Sequence, residues 1–247
     1  MKYLITFTFL VTNSFLSFGQ SRVEAFVTPG FGFRHMITQP GISSDIKDSI
    51  NNMDKVRVNW GGGIKFLIGI DKYSGIQLGV NYKGLSYTRM KEDLQFNDTI
   101  HPSLGRVLDI SQTINSKDAY FYNRYRYMSI PVAYQRTFTR KKINGKMRFY
   151  MSPGISFDFL MNDKVSVATP GWSVAGDDRH TIATDYESTS FNVSLNLGAR
   201  YELKLDEYAT LSVQPHFDYP LLRSAQDALV EYRLYQFAVS VGVSYLL

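Results

Sequence analysis

The chain closes on YQFAVSVGVSYLL, residues 235–247, in which apolar or aromatic side chains occupy alternate positions: Tyr235, Phe237, Val239, Val241, Val243, Tyr245 and Leu247. Between them stand Gln236, Ala238, Ser240, Gly242, Ser244 and Leu246, small or polar except the last. Successive side chains of a strand point to opposite faces, so this pattern predicts a strand with one apolar and one polar face. A strand this apolar with an open edge invites aggregation. A barrel that pairs the last strand with the first gives both edges a partner.

The same alternation recurs along the chain and predicts seven more strands. At 23–36, Val23, Ala25, Val27, Pro29, Phe31 and Phe33 oppose Glu24, Thr28, Gly30, Gly32 and Arg34. At 56–70, Val58, Trp60, Ile64, Phe66, Ile68 and Ile70 oppose Arg57, Asn59, Gly61, Gly63, Lys65 and Gly69. At 75–90, Ile76, Leu78, Val80 and Tyr82 oppose Gln77, Gly79, Asn81 and Lys83. Leu85 and Tyr87 then fall out of phase, which predicts a bulge at Gly84. The remaining strands are expected at 122–139, 147–161, 190–205 and 208–222. The third of these is the cleanest, with Phe191 to Leu205 apolar at every second position against Asn192, Ser194, Asn196, Gly198, Arg200, Glu202 and Lys204. Pro29, Pro131, Pro153 and Pro215 each remove a ladder donor, but the alternation runs through all four.

The connections alternate in length. Short ones are expected at 71–74, 140–146 and 206–207, and long ones at 37–55, 91–121 and 162–189, with an intermediate one at 223–232. Short turns at one end and long loops at the other are the pattern of outer-membrane barrels, whose short turns face the periplasm. With eight strands, both termini are expected on the periplasmic side. In the first long loop, Ile46, Ile50 and Met53 recur at helical spacing after Ser43 and Ser44, predicting a short amphipathic helix on the rim.

The first residues, MKYLITFTFLVTNSFLSFGQS, place Lys2 before an apolar run from Tyr3 to Val11, with Ser17 and Gly19 at the positions flanking a cleavage before Gln20. This is the pattern of a secretory leader. Thr12, Asn13 and Ser14 interrupt the run well short of the roughly 20 residues that a spanning helix needs. Residues 1–19 are therefore expected to be a signal peptide and 20–247 a single barrel domain in the outer membrane of a Gram-negative bacterium.

Composition fits this picture. Of 247 residues, 44% are hydrophobic, too few for a bundle of membrane helices, yet the chain holds 17 Tyr and 17 Phe, the material of interfacial girdles. With no Cys, disulfides, Cys-linked lipid and thiol chemistry are excluded. The net charge of +5, or +4 once Lys2 leaves with the leader, gives no reason to expect a nucleic-acid partner.

Two barrels share this alternation. A secreted calycin that binds small ligands keeps its apolar face inside; a membrane barrel turns it outward. The polar face favours the second. It is rich in Gly, Ser and Asn, which suit the narrow interior of eight strands. It also carries both signs of charge: Arg34, Arg57, Lys65, Lys83, Arg148, Arg200 and Lys204 against Glu24, Asp158, Glu202 and Asp218. Buried charges need partners, and His216 joins them in the expected interior polar network. No helical pattern follows the last strand. The expected fold is an all-β, eight-stranded antiparallel transmembrane barrel, an up-and-down meander with a filled interior.

The leader ending SFGQ, the glycine-rich polar faces, the segment YMSIPVAYQ at 127–135 and the ending FAVSVGVSYLL together resemble the PorT-type outer-membrane β-barrel family, and the architecture is similar to small OmpA/OmpX-type barrels. The chain departs from the usual insertion signal in ending on Leu247 rather than an aromatic residue, with Tyr245 two positions before it. The resemblance implies an accessory role in protein secretion. Taken with the residues, the expected protein is a non-enzymatic envelope component that acts through external loops or in that accessory role. It is expected to be a monomeric barrel with outer-membrane lipid, lipopolysaccharide and secretion or envelope proteins as partners, and no cofactor.

Candidate chemistry is sparse. His216 and Asp218 lie two apart on one face and present either a base with its orienting carboxylate or part of the interior hydrogen-bond network. His35 or His180 with a loop serine would be the pair of a lipid-A acyl-modifying enzyme. Asp177, Asp178, Asp185 and Glu187 offer oxygen ligands for Ca²⁺, though their spacing follows no defined loop. The run Tyr120, Phe121, Tyr122, Tyr125 and Tyr127 reads as an external aromatic girdle or as a partner-binding platform, and Tyr120, Phe121, Tyr122 and Tyr125 with Asp177 and Asp178 form the candidate interaction surface. Arg136, Arg140, Lys141, Lys142, Lys146 and Arg148 surround a short turn at the level of phospholipid head groups.

Overall fold

The structure, a computed structural model, describes residues 21–36, 48, 52–94, 117–137, 147–168, 179–182, 188–224 and 232–247. The expected leader, the loop acids Asp177, Asp178, Asp185 and Glu187, His101 and residues 140–146 lie outside them. The strands are β1 (Arg22–Met36), β2 (Asp54–Gly69), β3 (Ser74–Leu94), β4 (Lys117–Thr137), β5 (Met147–Ala168), β6 (Arg179–Ile182), β7 (Phe191–Lys204), β8 (Ala209–Pro220) and β9 (Tyr232–Leu246). Eight of them form an antiparallel ring in the order β1-β2-β3-β4-β5-β7-β8-β9, and β9 closes onto β1 from Arg22↔Leu246 to Met36↔Tyr232. The four-residue β6 adds to the far end of β5. Among the described residues no helix is long and apolar enough to cross a membrane; a crossing is made by strands.

The register fixes the width of the ring. From Arg22 it runs to Leu67, Gln77, Ala133, Gly154, Asn196, Asp218, Gln236 and back to β1 at Gly32, a stagger of ten residues from 22 to 32. Ten residues at about 3.3 Å along eight strands spaced about 4.8 Å apart give a tilt of about 40° and a backbone radius of about 8 Å. That interior admits side chains and little else.

The two faces of the wall decide the environment. The apolar side chains point away from the axis: Trp60 is 65% exposed, Leu197 57%, and Ile64, Phe66, Val80, Leu195, Phe237 and Tyr245 are likewise exposed. The polar ones are buried within: Glu24, Lys65, Lys83, Asp158, Arg200 and Asp218. A calycin has the opposite arrangement, so the alternative of a ligand-binding soluble barrel is overturned. An apolar belt of this extent around a whole molecule is stable only against lipid.

The wall departs from the sequence pattern in three places. β3, β4 and β5 continue into the expected loops, to Leu94, from Lys117 and to Ala168, so one side of the ring rises well above the other. No bulge sits in β3 at Gly84: its pairing with β4 is continuous from Asn81↔Ser129 to Lys91↔Ala119. Leu85 and Tyr87 keep phase with Lys83 and point inward, where both are buried. The register slips instead on β2, between Val56 and Gly61. Finally, Phe26 and Leu67 are buried on the polar face. Phe26 fits because its neighbour on β9 is Gly242, where a Cβ would come within 2.9 Å of the Phe26 Cβ.

Two of the short turns are built alike. Asp71 Oδ1 accepts from the amides of Tyr73 (2.5 Å) and Ser74 (2.7 Å), and Asp206 Oδ1 from those of Tyr208 (2.7 Å) and Ala209 (2.6 Å). An Asp that bonds the backbone two and three residues on makes the reversal with its own side chain. The Ser74 hydroxyl and the two amides hold the Asp71 carboxyl below its ordinary range; the Ala209 and Tyr208 amides do the same for Asp206. In the first loop, Asp48, Asn52 and Met53 are helical, and the rest of the expected rim helix lies outside the described residues.

Candidate functional site

The lumen is filled in three charged levels. At the short-turn end, Arg200 clasps Glu24 with both terminal nitrogens, Nη1 at 3.1 Å from Oε1 and Nη2 on Oε2, while its Nε donates to Glu202 Oε1 at 2.8 Å. Arg22 reaches Glu202 at 3.2 Å, and Lys65 reaches Glu24 at 3.4 Å and Gln214 at 3.1 Å. Ser212 completes the Glu24 carboxylate at 3.0 Å. Glu24 and Arg200 are both 0% exposed. A buried ion pair is tolerated when further hydrogen bonds satisfy the remaining lone pairs and protons, and this cluster supplies them.

Midway, Lys83 bridges Asp218 (2.7 Å) and Asp158 (3.3 Å). Ser129 and Ser194 donate to Asp158, the latter at 2.7 Å, and Asn196 donates to Asp218 at 2.6 Å. Between these two levels lies a cavity of about 70 Å³ lined by Lys65, Gln214, His216, Asp218, Asn81 and Ser156 among others. Its size and the polar groups in its mixed wall suit a few water molecules.

Above Lys83 the filling changes character. Leu85, Tyr87, Tyr125, Tyr127, Tyr232 and Leu234 pack into one cluster inside the ring, with Leu160 against it. The Tyr125 and Tyr232 hydroxyls lie 3.2 Å apart. Arg34 sits over this lid, its guanidinium 4.9 Å from the Tyr87 ring centroid and 5.3 Å from that of Tyr232, an arrangement that attracts a cation to the ring face. Asp54 binds it at 2.7 Å and also takes Arg89 at 3.2 Å.

The expected interior residues are thus sorted. Arg34, Lys65, Lys83, Asp158, Arg200, Glu202 and Asp218 join the clusters. Arg148 is half-buried and donates to the Tyr150 hydroxyl at 3.3 Å. Arg57 lies at the β2 register slip with its guanidinium 4.8 Å from the Tyr122 ring centroid. Lys204 is exposed at the end of β7 rather than interior, because the strand ends there at the Asp206 turn. His216 and Asp218 do not form a base with its orienter: His216 Nδ1 faces the Gln214 carbonyl at 3.2 Å, and Lys83 and Asn196 take the Asp218 carboxylate.

The aromatic run of β4 is divided. Tyr120, Phe121 and Tyr122 are half-buried, whereas Tyr125, 1% exposed, and Tyr127 face the lumen. Tyr125 is accordingly not part of an exposed surface; odd positions of β4 point inward, which five aromatics close in sequence conceal. His35 is exposed and packs edge-on against Tyr235, ring centroids 6.4 Å apart, and among the described residues no serine hydroxyl binds it. His180 lies on β6. Among the described residues no group of three or more His, Asp and Glu is placed to hold a metal. Arg22, Asp54 and Arg89 escape the sequence pattern because each stands at or beyond the edge of an expected strand.

A closed ring with charge inside and an apolar belt outside defines a transmembrane β-barrel of the outer-membrane type. The family described as outer membrane protein beta-barrel domain matches residues 18–226, and the chain belongs to it. No curated protein matches the chain. Among solved structures it is similar to Neisserial surface protein A, NspA (14% identity over 92% of this chain and 97% of that one, TM-score 0.40). It is also similar to a major outer membrane protein from Thermus thermophilus (10% identity, 92% and 99% covered, TM-score 0.44) and to the outer membrane protease OmpT from Escherichia coli (9% identity, 94% and 98% covered, TM-score 0.39).

Proposed function

We propose that this outer-membrane barrel is a non-conducting, non-enzymatic envelope component whose working surface is the long-loop end, where it engages envelope or secretion proteins as an accessory. The observation that carries this reading is the filling of the lumen over its height by two ion clusters, an aromatic lid and the Arg34–Asp54 pair. A barrel so plugged serves as a membrane anchor for what it displays. Its surroundings are outer-membrane lipid and lipopolysaccharide, it acts as a monomer, and both termini face the periplasm. The asymmetric rise of β3, β4 and β5 at the long-loop end supports that orientation, since short turns face the periplasm in such barrels. The PorT-like resemblance of YMSIPVAYQ and FAVSVGVSYLL supports the secretion role.

Two experiments test it. A tag between Asp177 and Asp178 is expected to be labelled on intact cells and one between Lys141 and Lys142 only after the envelope is opened; the reverse pattern overturns the orientation. Cross-linking in native outer membrane followed by purification is expected to recover an envelope or secretion protein joined through the long-loop end. Recovery of the barrel alone, under conditions that capture known envelope complexes, overturns the accessory role.

A further inference from the structure

On the outer face of β4 the alternate residues run Arg136, Tyr134, Val132, Ile130, Met128, Arg126 and Arg124. The apolar strip is bounded by Arg136 near the short turns and Arg126 near the long loops, ten residues apart. At about 3.3 Å per residue and a tilt of about 40°, that distance is about 25 Å along the barrel axis, the height of the apolar band in outer-membrane barrels. Arg126 and Arg124 therefore stand at and just above the lipid boundary.

Their neighbours deepen the charge. Arg124 is the direct cross-strand partner of Lys164 on β5, and Arg126 that of Asn162. On the other side Arg124 pairs with Ser86 and Arg126 with Gly84. All three cations are exposed, and among the described residues none of them takes part in an ion pair. Like charges directly opposite on a sheet repel, whereas every charged side chain of the lumen clusters is matched. A polar anion placed between Arg124 and Lys164 removes the repulsion, and arginine binds phosphate oxygens in pairs. Directly below lie Met128, Tyr82 and Met161, exposed apolar side chains that an acyl chain would cover.

We propose that Arg124, Arg126 and Lys164 form a binding site for the phosphorylated headgroup of a membrane glycolipid, with its acyl chains laid along Met128 and Met161. A phosphorylated lipid satisfies both parts of the surface; free phosphate satisfies only the cations. The proposal rests on the barrel spanning the membrane as described above, but its binding test in micelles does not depend on which way the barrel faces.

The test is titration of the full-length protein, in zwitterionic detergent, with a phosphorylated glycolipid, its dephosphorylated form and inorganic phosphate. The wild type is expected to bind the phosphorylated lipid roughly tenfold or more tighter than the dephosphorylated one. The triple variant Arg124→Gln, Arg126→Gln, Lys164→Gln is expected to lose that preference, and Arg136→Gln, at the opposite rim, to keep it. Heat-modifiable migration on gels reports whether each variant is folded; should the triple variant fail to fold, the single variants are expected to lose the preference in part. Equal affinity for both lipids, or a preference untouched in every folded variant of the three cations, overturns the site. Displacement of the lipid by equimolar inorganic phosphate overturns the lipid as its occupant. A reversed tag pattern on cells with the micelle preference intact refutes the orientation alone.

Discussion

Arg200 and Glu24 meet inside the barrel from positions 176 residues apart, with Nη1 of the guanidinium 3.1 Å from Oε1 of the carboxylate and neither side chain in contact with solvent. The pair ties β7 to β1 across the lumen, a link that the backbone ladder, which joins each strand only to its neighbours, does not make.

Removing one partner leaves a buried charge without its match. Arg200→Leu or Glu24→Leu is expected to cost about 3–5 kcal/mol, and the double variant less than the sum of the two. Urea unfolding in lipid vesicles, followed by tryptophan fluorescence, measures both. A double variant as costly as the sum would show that the two side chains act independently.

The lipid-facing belt is tested at Leu195 and Val241, both exposed on the outer face. Leu195→Arg and Val241→Arg are each expected to lose about 2–4 kcal/mol, as arginine does near the bilayer midplane. Ser240→Ala, which removes the 2.9 Å bond to Thr28, is expected to cost about 1 kcal/mol. Ser194→Ala removes a donor from the Asp158 carboxylate and is expected to cost more, about 1.5–3 kcal/mol. The same vesicle-unfolding measurement ranks all four.

The plugged lumen predicts electrical silence. The purified barrel in planar bilayers is expected to show no steady open level. Porin-like conductance would mean that the Lys83–Asp158–Asp218 bridge or the tyrosine lid does not close the path.

Acid should loosen two turns. Asp71 and Asp206 are held below the ordinary carboxyl value of 3.8 by the bonds they accept in the folded turns. A carboxyl whose pKa is depressed on folding stabilises fully above its unfolded pKa, and that contribution is lost as pH falls through the lower folded value. Wild type is therefore expected to exceed the Asp71→Ala, Asp206→Ala variant in unfolding midpoint at pH 6, with the gap closing as pH drops below about 4. A gap that does not change with pH would assign the turns' contribution to the backbone alone.

The number of strands in the ring, their approximate spans and the polar and apolar faces were legible in the sequence, because a strand's side chains alternate with a period of two wherever they are and the belt and lumen demand opposite chemistry; the four-residue β6 falls in an expected loop and was not. Glu24, Lys65, Lys83, Asp158, Arg200 and Asp218 could be placed inside from parity alone. Three things were decided only by the tertiary structure. The partners across the lumen depend on the ten-residue stagger, which no single strand encodes. The inward turn of Leu85, Tyr87 and Tyr125 contradicts the rule that apolar means outward, because near the long-loop end the wall rises past the lipid and the lumen, not the membrane, offers apolar contact. The reach of β3, β4 and β5 into the expected loops follows from their pairing with one another: Arg89 and Phe121, polar and aromatic at the strand margins, are held extended by the ladder, a stabilisation that exists only once the neighbouring strand is in place.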